Sequence, residues 1–323
     1  MNSRVMGTLL SVLAVLAAGD SRADTAPSVQ SCRGGAGVAI QVLGSGGPEL
    51  AKGRASASYV VWHGGRARVL VDLGAGAMLR FGQSGARVED LDLIALSHLH
   101  VDHSADLPAL VKSAFFGSRG AALPVSGPGP DGVFPGLVDW LHAMLDSERG
   151  AFRYLSGALD GSRGQFALVP QEIAIQPQRV QHVLKLEDLE VDVIPVPHGP
   201  VPALAYRVRV GGRVIVFAGD QNGRSEQFWG FARGADVLVA HLAIPDADDA
   251  VASALHATPS RIGSGARDAG VEHLVLSHFM TRSEESLAAN VAQVQSAFES
   301  RLTVADDLTC VAVPARAGPR SGA

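Results

Sequence analysis

Cysteine is nearly absent, with two in 323 residues, so the chain cannot be a disulfide scaffold and has no cluster of thiolates for a soft metal ion. Charge is sparse at 18%, aromatics make up 5%, and hydrophobic residues reach 47%, a balance that excludes a disordered, fibrous or coiled-coil chain. No block of lysine or arginine occurs, and 27 basic against 32 acidic residues give a net charge of -5. That lacks the footprint from which most nucleic-acid affinity comes, so small or weakly charged substrates are expected and nucleic acid is not. Long apolar runs are missing too. Residues 5–18, behind Arg4 and ahead of Ser21-Arg22-Ala23, are shorter than the roughly 20 helical residues that span a bilayer and read as an export signal. Residues 1–23 are therefore expected to be removed, leaving 24–323 as one periplasmic or secreted domain without membrane contact. Cys32 and Cys310 could close one bridge in such a compartment or remain two unrelated thiols.

What is present is alternation. Short apolar, β-branched runs at 38–43, 58–62, 67–72, 91–96, 189–195, 203–210, 214–218, 237–240 and 271–276 read as strands, and 135–145, 225–233, 259–269 and 283–300 as helices. Gly211-Gly212 and His63-Gly64-Gly65 supply turn residues between paired strands, and Thr258-Pro259 with Gly270 brackets a helix. The pattern is that of a layered α/β fold. Residues 117–164, glycine-rich with few apolar periods, read as an insertion over one face.

The densest chemistry is SHLHVDH. His98, His100, Asp102 and His103 cannot share one strand face or one helical stripe, so the segment must be a loop converging its side chains on something, most simply a metal ion. His198, Asp220 and His278 each follow a predicted strand, and carboxyl ends of strands are where α/β sites assemble. Asp72, between a buried strand and Gly74, is expected to tie loop amides and orient a histidine.

On these residues the chain resembles the metallo-β-lactamase superfamily, most closely its ribonuclease Z and arylsulfatase-like branch. LGSGGPEL, VLVDLGAG, PHGPVPALAYRV, FAGDQN and LHATPSRIGSGARDAGVEHLVLSHF carry the likeness in order. The resemblance implies a four-layer αββα sandwich holding two divalent metal ions, zinc by the nitrogen and oxygen donors available. His98, His100 and His198 would hold one ion, Asp102, His103 and His278 the other, and Asp220 would bridge them. Asp102 and His256 would act in the chemistry, His256 by protonating a leaving oxygen or holding negative charge. Otherwise His256 begins a helix with its ring in solvent. His241 stands where ribonuclease Z relatives carry a glutamate, which leaves the support of His256 open. His63, His142, His182 and His273 are expected in turns or on surfaces.

The activity expected from this reading is hydrolysis of a small ester by a metal-bridging hydroxide, a phosphodiester or aryl sulfate ester. A lactonase or β-lactamase-type ring opening is the alternative. Processing of transfer RNA 3′ ends is ranked below both, because residues 199–219 leave no room for a protruding RNA-gripping arm and because of the expected export. The resemblance also suggests a homodimer.

Overall fold

The computed structural model describes residues 32–314 apart from 36, 51 and 248, so the expected leader lies outside the described residues. Among the described residues fourteen strands form two sheets: β1 Val38–Gly44, β2 Ser58–His63, β3 Arg66–Val71, β4 Leu93–Ala95, β5 Leu123–Pro128, β6 Leu168–Ile173, β7 Gln181–Lys185, β8 Leu189–His198, β9 Val201–Val210, β10 Arg213–Phe217, β11 Val237–His241, β12 His273–Ser277, β13 Arg301–Val304 and β14 Cys310–Val313. The first sheet runs β14-β1-β2-β3-β4-β5-β6 and the second β13-β12-β11-β10-β9-β8-β7.

Why the sheets face each other follows from which residues they bury. Strands such as β1 and β12 are buried along their whole length, as strands covered on both faces must be. One face of each sheet contributes to a shared apolar layer, with Val42, Val61 and Val71 from the first sheet against Val191, Phe217 and Val239 from the second. The opposite face of the first sheet packs against helices Ala77–Ser84, Leu107–Ala114 and Leu137–Leu145. That of the second packs against Glu226–Phe231, Pro259–Asp268 and Leu287–Gln295. Helix, sheet, sheet and helix make the expected αββα order.

Both sheets contain parallel runs, β3-β4-β5-β6 and β10-β11-β12-β13, so several carboxyl ends line up along one edge of each. The hairpin turns are as read: Gly64-Gly65 joins β2 to β3 and Gly211-Gly212 joins β9 to β10, with φ between 53° and 74°, which glycine adopts without a Cβ penalty.

Two readings need correction. Residues 117–164 are not merely an insertion, because β5 lies within them and pairs in parallel with β4 and β6. Its sequence, LPVSGP, hides the strand: two prolines and a glycine lower its β propensity while burial holds it in place. The helix expected at 283–300 is shorter and broken, into Thr281–Glu284 and Leu287–Gln295, where buried Asn290 donates its side-chain amide to the Ser283 carbonyl. Among the described residues no helix is long and apolar enough to cross a membrane.

Cys32 and Cys310 are bridged, with Cα atoms 5.6 Å apart. The bridge fastens the four-residue edge strand β14, which among the described residues pairs with β1 alone and buries Val311 and Val313 between the sheets. Replacing both by serine is expected to lower unfolding free energy by about 2–4 kcal/mol in urea titration. Two titratable thiols in denatured, unreduced protein would show that the bridge does not form.

Candidate active site

The site begins with Asp72. It follows β3 in left-handed backbone (φ 55°) and is buried, yet its carboxylate is fully used. Oδ1 accepts from the Ser97 amide (2.6 Å), and Oδ2 accepts from the Ser97 hydroxyl (2.8 Å) and His103 Nδ1 (2.8 Å). This is the structural role expected of it. The loop after β4 is thereby fixed, and Gly74 lets it come close: a Cβ there would lie 2.1 Å from the Asp102 carbonyl oxygen.

The SHLHVDH segment is not all loop, because Asp102 and His103 sit in a one-turn helix, Val101–Ser104, that follows His98 and His100; together the four project toward side chains from the second sheet. His198 ends β8, Asp220 follows β10, His241 ends β11 and His278 follows β12. His98, His100 and His198 form one group with donor atoms within 4.8 Å of one another, and His103, Asp220, His241 and His278 another. Asp102 Oδ2 lies 3.3 Å from His278 Nε2 and 3.5 Å from His103 Nε2. Asp220 Oδ2 lies 3.6 Å from His198 Nε2, 3.7 Å from His103 Nε2 and 3.9 Å from His98 Nε2, between the two groups. All seven expected ligands therefore converge. His278 also has left-handed backbone (φ 57°) and sits over Gly47, where a Cβ would come within 2.9 Å of its ring.

Some donors bond one another, as His98 with His100 (3.0 Å) and His103 with His278 (3.1 Å) do, but others are left over in a way that suits ligands. His198 Nδ1–H donates to the Leu255 carbonyl (2.8 Å), leaving Nε2 as a lone pair with no hydrogen-bond partner, opposite the Asp220 carboxylate. Two acceptors facing each other in a buried site repel; a cation between them reverses the sign. His256 Nδ1 and His278 Nδ1 are likewise buried without partners. The residues present thus fit a divalent metal ion.

Electrostatics follow from burial set against the carboxylates. Burial drives His98 well below the ordinary histidine value. In His103 the pull of burial is overcome by Asp72, Asp220 and Asp102, which raise it to about 10. Burial works against ionisation of Asp102 and Asp220 as well, but the surrounding histidines hold Asp102 down to about 2 and Asp220 well below the carboxylate range.

Two residues gain a definite place here. His241 does not support His256; its Nδ1–H donates to Asp220 Oδ1 (2.6 Å), and its Nε2 lies 3.1 Å from the Tyr59 hydroxyl, itself 3.1 Å from Ser277 Oγ. Tyr59 was not legible, since a tyrosine in SYVVWH reads as core and its hydroxyl has no sequence signature. His256 is buried against the cluster, Nδ1 3.8 Å from Asp220 Oδ2, and is not a solvent-facing ring. Burial lowers it to about 4, so the ring is neutral at neutral pH. Of the other histidines, His63 and His182 pair with Asp188 and Asp192 as turn or surface residues do. His273, expected at a surface, is buried in β12 and bonds Thr303.

Comparison with known proteins supplies the family. Residues 67–279 match the model described as the beta-lactamase superfamily domain, and the chain belongs to that family. It is similar to ribonuclease Z of Mycobacterium sp. (strain KMS), 29% identical over 291 residues covering 85% of this chain and 96% of the relative, and to ribonuclease Z of Mycobacterium bovis (strain BCG / Pasteur 1173P2), 28% identical over 292 residues covering 86% and 99%. Among solved structures it resembles the short form of human tRNase Z (TM-score 0.67, 21% identity, 86% of this chain and 100% of that one). It also resembles zinc-bound PqqB of Methylobacterium extorquens (TM-score 0.57, 14% identity, 84% and 99%). The relatives are hydrolases, and that class stands.

These matches overturn two expectations. Small esters as substrate, with transfer-RNA processing set below them, and the exclusion of nucleic acid as partner both conflict with relatives named ribonuclease Z along nearly their full length. Net charge misled because it sums over the whole surface, whereas binding is local.

Asp72→Ala removes the acceptor of three donors and places a β-carbon residue without polar help at positive φ, so it is expected to destabilise the protein by about 3 kcal/mol or more. Asp72→Asn, which tolerates that backbone and keeps one acceptor oxygen, is expected to lose less. Equal urea midpoints for the two variants would contradict this role.

Proposed function

We propose that the chain hydrolyses phosphodiester bonds of RNA with two divalent cations, zinc by the chemistry of the donors. The observation that carries the reading is the position of Asp220 Oδ2, 3.6–3.9 Å from ring nitrogens of both histidine groups. Ligand atoms about 2.0–2.2 Å from one zinc ion stand roughly 3.3–3.6 Å apart, so the spacing suits a shared oxygen. The ribonuclease Z relatives support RNA as the substrate class.

In this reading His98, His100 and His198 would hold one cation and Asp102, His103 and His278 the second, with Asp220 placed to serve either. When bound, such a pair lowers the pKa of a water and stabilises the attacking and leaving oxygens of an in-line displacement. The protein's own groups prepare that chemistry. Asp72 fixes the orientation of His103, and the Leu255 carbonyl fixes that of His198. His241 donates to Oδ1 of Asp220 and so orients the carboxylate, with Oδ2 toward both histidine groups and Oδ1 also 3.4 Å from His278 Nε2. His256, neutral in its buried position, donates an N–H to charge developing on the leaving oxygen. The Cys32–Cys310 bridge supports an oxidising compartment for the chain and, with it, the proposed export by a leader over 1–23.

Protein purified without chelator is expected to carry two metal equivalents and to cleave a 3′-extended transfer-RNA transcript. Asp220→Ala should lose metal and cleavage together, whereas His256→Ala should keep both ions and lose about 10²–10⁴ in kcat. Full cleavage by Asp220→Ala protein holding one ion would sink the two-metal reading.

A further inference from the structure

Beside the site lies a groove of about 270 Å³ that the mechanism does not use. Its walls are the loop after Asp220, helix Glu226–Phe231 and helix Pro259–Asp268, and Arg224, Arg233, Arg261 and Trp229 line it. The three arginines are exposed, and among the described residues none makes an ion pair. That is unusual company in a chain of net charge -5. Two carboxylates share the rim, but Asp268 is already paired with Arg267 at 2.8 Å, so Glu226 alone opposes three guanidinium groups.

Trp229 is held rather than loose. Its indole N–H donates to the Gly223 carbonyl (3.0 Å), and the ring lies on Gly265, where a Cβ would meet Cζ2 at 2.1 Å. A fixed, half-exposed indole among unpaired arginines offers a stacking face for a base next to forks that suit phosphate oxygens. The groove is also built on the backbone of the site. Gly223 lies three residues after Asp220, and a Cβ on it would stand 3.1 Å from the Cβ of Ala257, the residue after His256, and 3.3 Å from that of Arg261. The loop that carries Asp220 thus also carries Arg224, and the segment that carries His256 runs directly into the helix that carries Arg261.

We propose that this groove binds the phosphate backbone of the RNA substrate, with Arg224, Arg233 and Arg261 contacting phosphates and Trp229 stacking on a base of the strand flanking the cleavage position. The inference rests on the RNA reading above and deepens it, by giving an armless chain a surface with which to hold a polyanion. Its chemistry predicts a split between substrates. A bis-aryl phosphate reaches only the metal ligands and His256, while RNA also needs the groove.

The test compares the full chain, metal-loaded, with the variant Arg224→Gln/Arg233→Gln/Arg261→Gln, using a fluorescein-labelled single-stranded RNA oligonucleotide for binding, the 3′-extended transcript for cleavage, and bis-aryl phosphate as control. All three positions are exposed, so folding should survive. The expected result is a rise in RNA Kd and KM of about tenfold or more, with the slope of log K against log salt falling by about 2, near 0.7 for each lost phosphate contact. The bis-aryl phosphate rate should stay within about twofold of wild type. Unchanged RNA binding and cleavage in the variant would overturn the groove while leaving the RNA reading intact. A wild-type chain that hydrolyses bis-aryl phosphate but neither binds nor cleaves RNA would remove both.

Discussion

A single buried carboxylate organises the first half of the site. Asp72 takes three donors from the loop after β4 at distances between 2.6 and 2.8 Å, and in a low-dielectric interior such charge-assisted bonds are strong when made and costly when broken. Because two of the donors belong to Ser97 and the third to His103, the carboxylate clamps both ends of the SHLHVDH segment. His98, His100 and Asp102 lie between the clamped ends, so their directions follow. The close approach of Gly74 to the Asp102 carbonyl adds a backbone contact that any side chain would block. Strand β3 thus positions ligands that belong to the loop after its neighbour.

The second half depends on parallel pairing. In adjacent parallel strands about 4.8 Å apart, residues at equivalent ends emerge side by side. β10, β11 and β12 deliver Asp220, His241 and His278 in that way, and His278 needs left-handed backbone over Gly47 to turn its ring inward. What joins the halves is the division of labour between the two oxygens of Asp220. Oδ1 is bonded to His241, which reaches Tyr59 on the opposite sheet, and lies 3.4 Å from His278 Nε2, while Oδ2 faces ring nitrogens of His98, His103, His198 and His256. A histidine serves this purpose where a longer acid would not: another carboxylate beside Asp220 would repel it, whereas an imidazole donates its Nδ1–H to Oδ1.

The sequence made the site more legible than the fold around it. Four ligand-type residues packed into 98–103 leave few structural alternatives, and a histidine or aspartate placed after each of three apolar runs follows from strand ends being where loops converge. Asp72 was readable for the same reason. Strands β5 and β6 were not, because prolines at 124, 128 and 170 obscure segments that only tertiary burial makes extended. Nor was the pairing of His241 with Asp220, 21 residues apart, since sequence records neither which nitrogen faces which oxygen nor that Tyr59 reaches across from the other sheet.

The misjudged substrate class has a physical origin that reaches beyond this chain. A net charge of -5 counts every group over 323 residues, but at physiological salt a substrate phosphate senses charges within a Debye length of about 8 Å. Within that radius of Asp220 the fixed negative charges of the proposed ligand set are Asp102 and Asp220 themselves, with Asp72 behind them bonded to His103. Two divalent cations held there would more than offset those carboxylates and turn the pocket positive, and the unpaired arginines next to it would extend that positive field along one direction. A mildly acidic protein can therefore draw a polyanion to one place on its surface while repelling it elsewhere. Such an arrangement favours correct docking over non-specific adhesion, which a uniformly basic surface could not do.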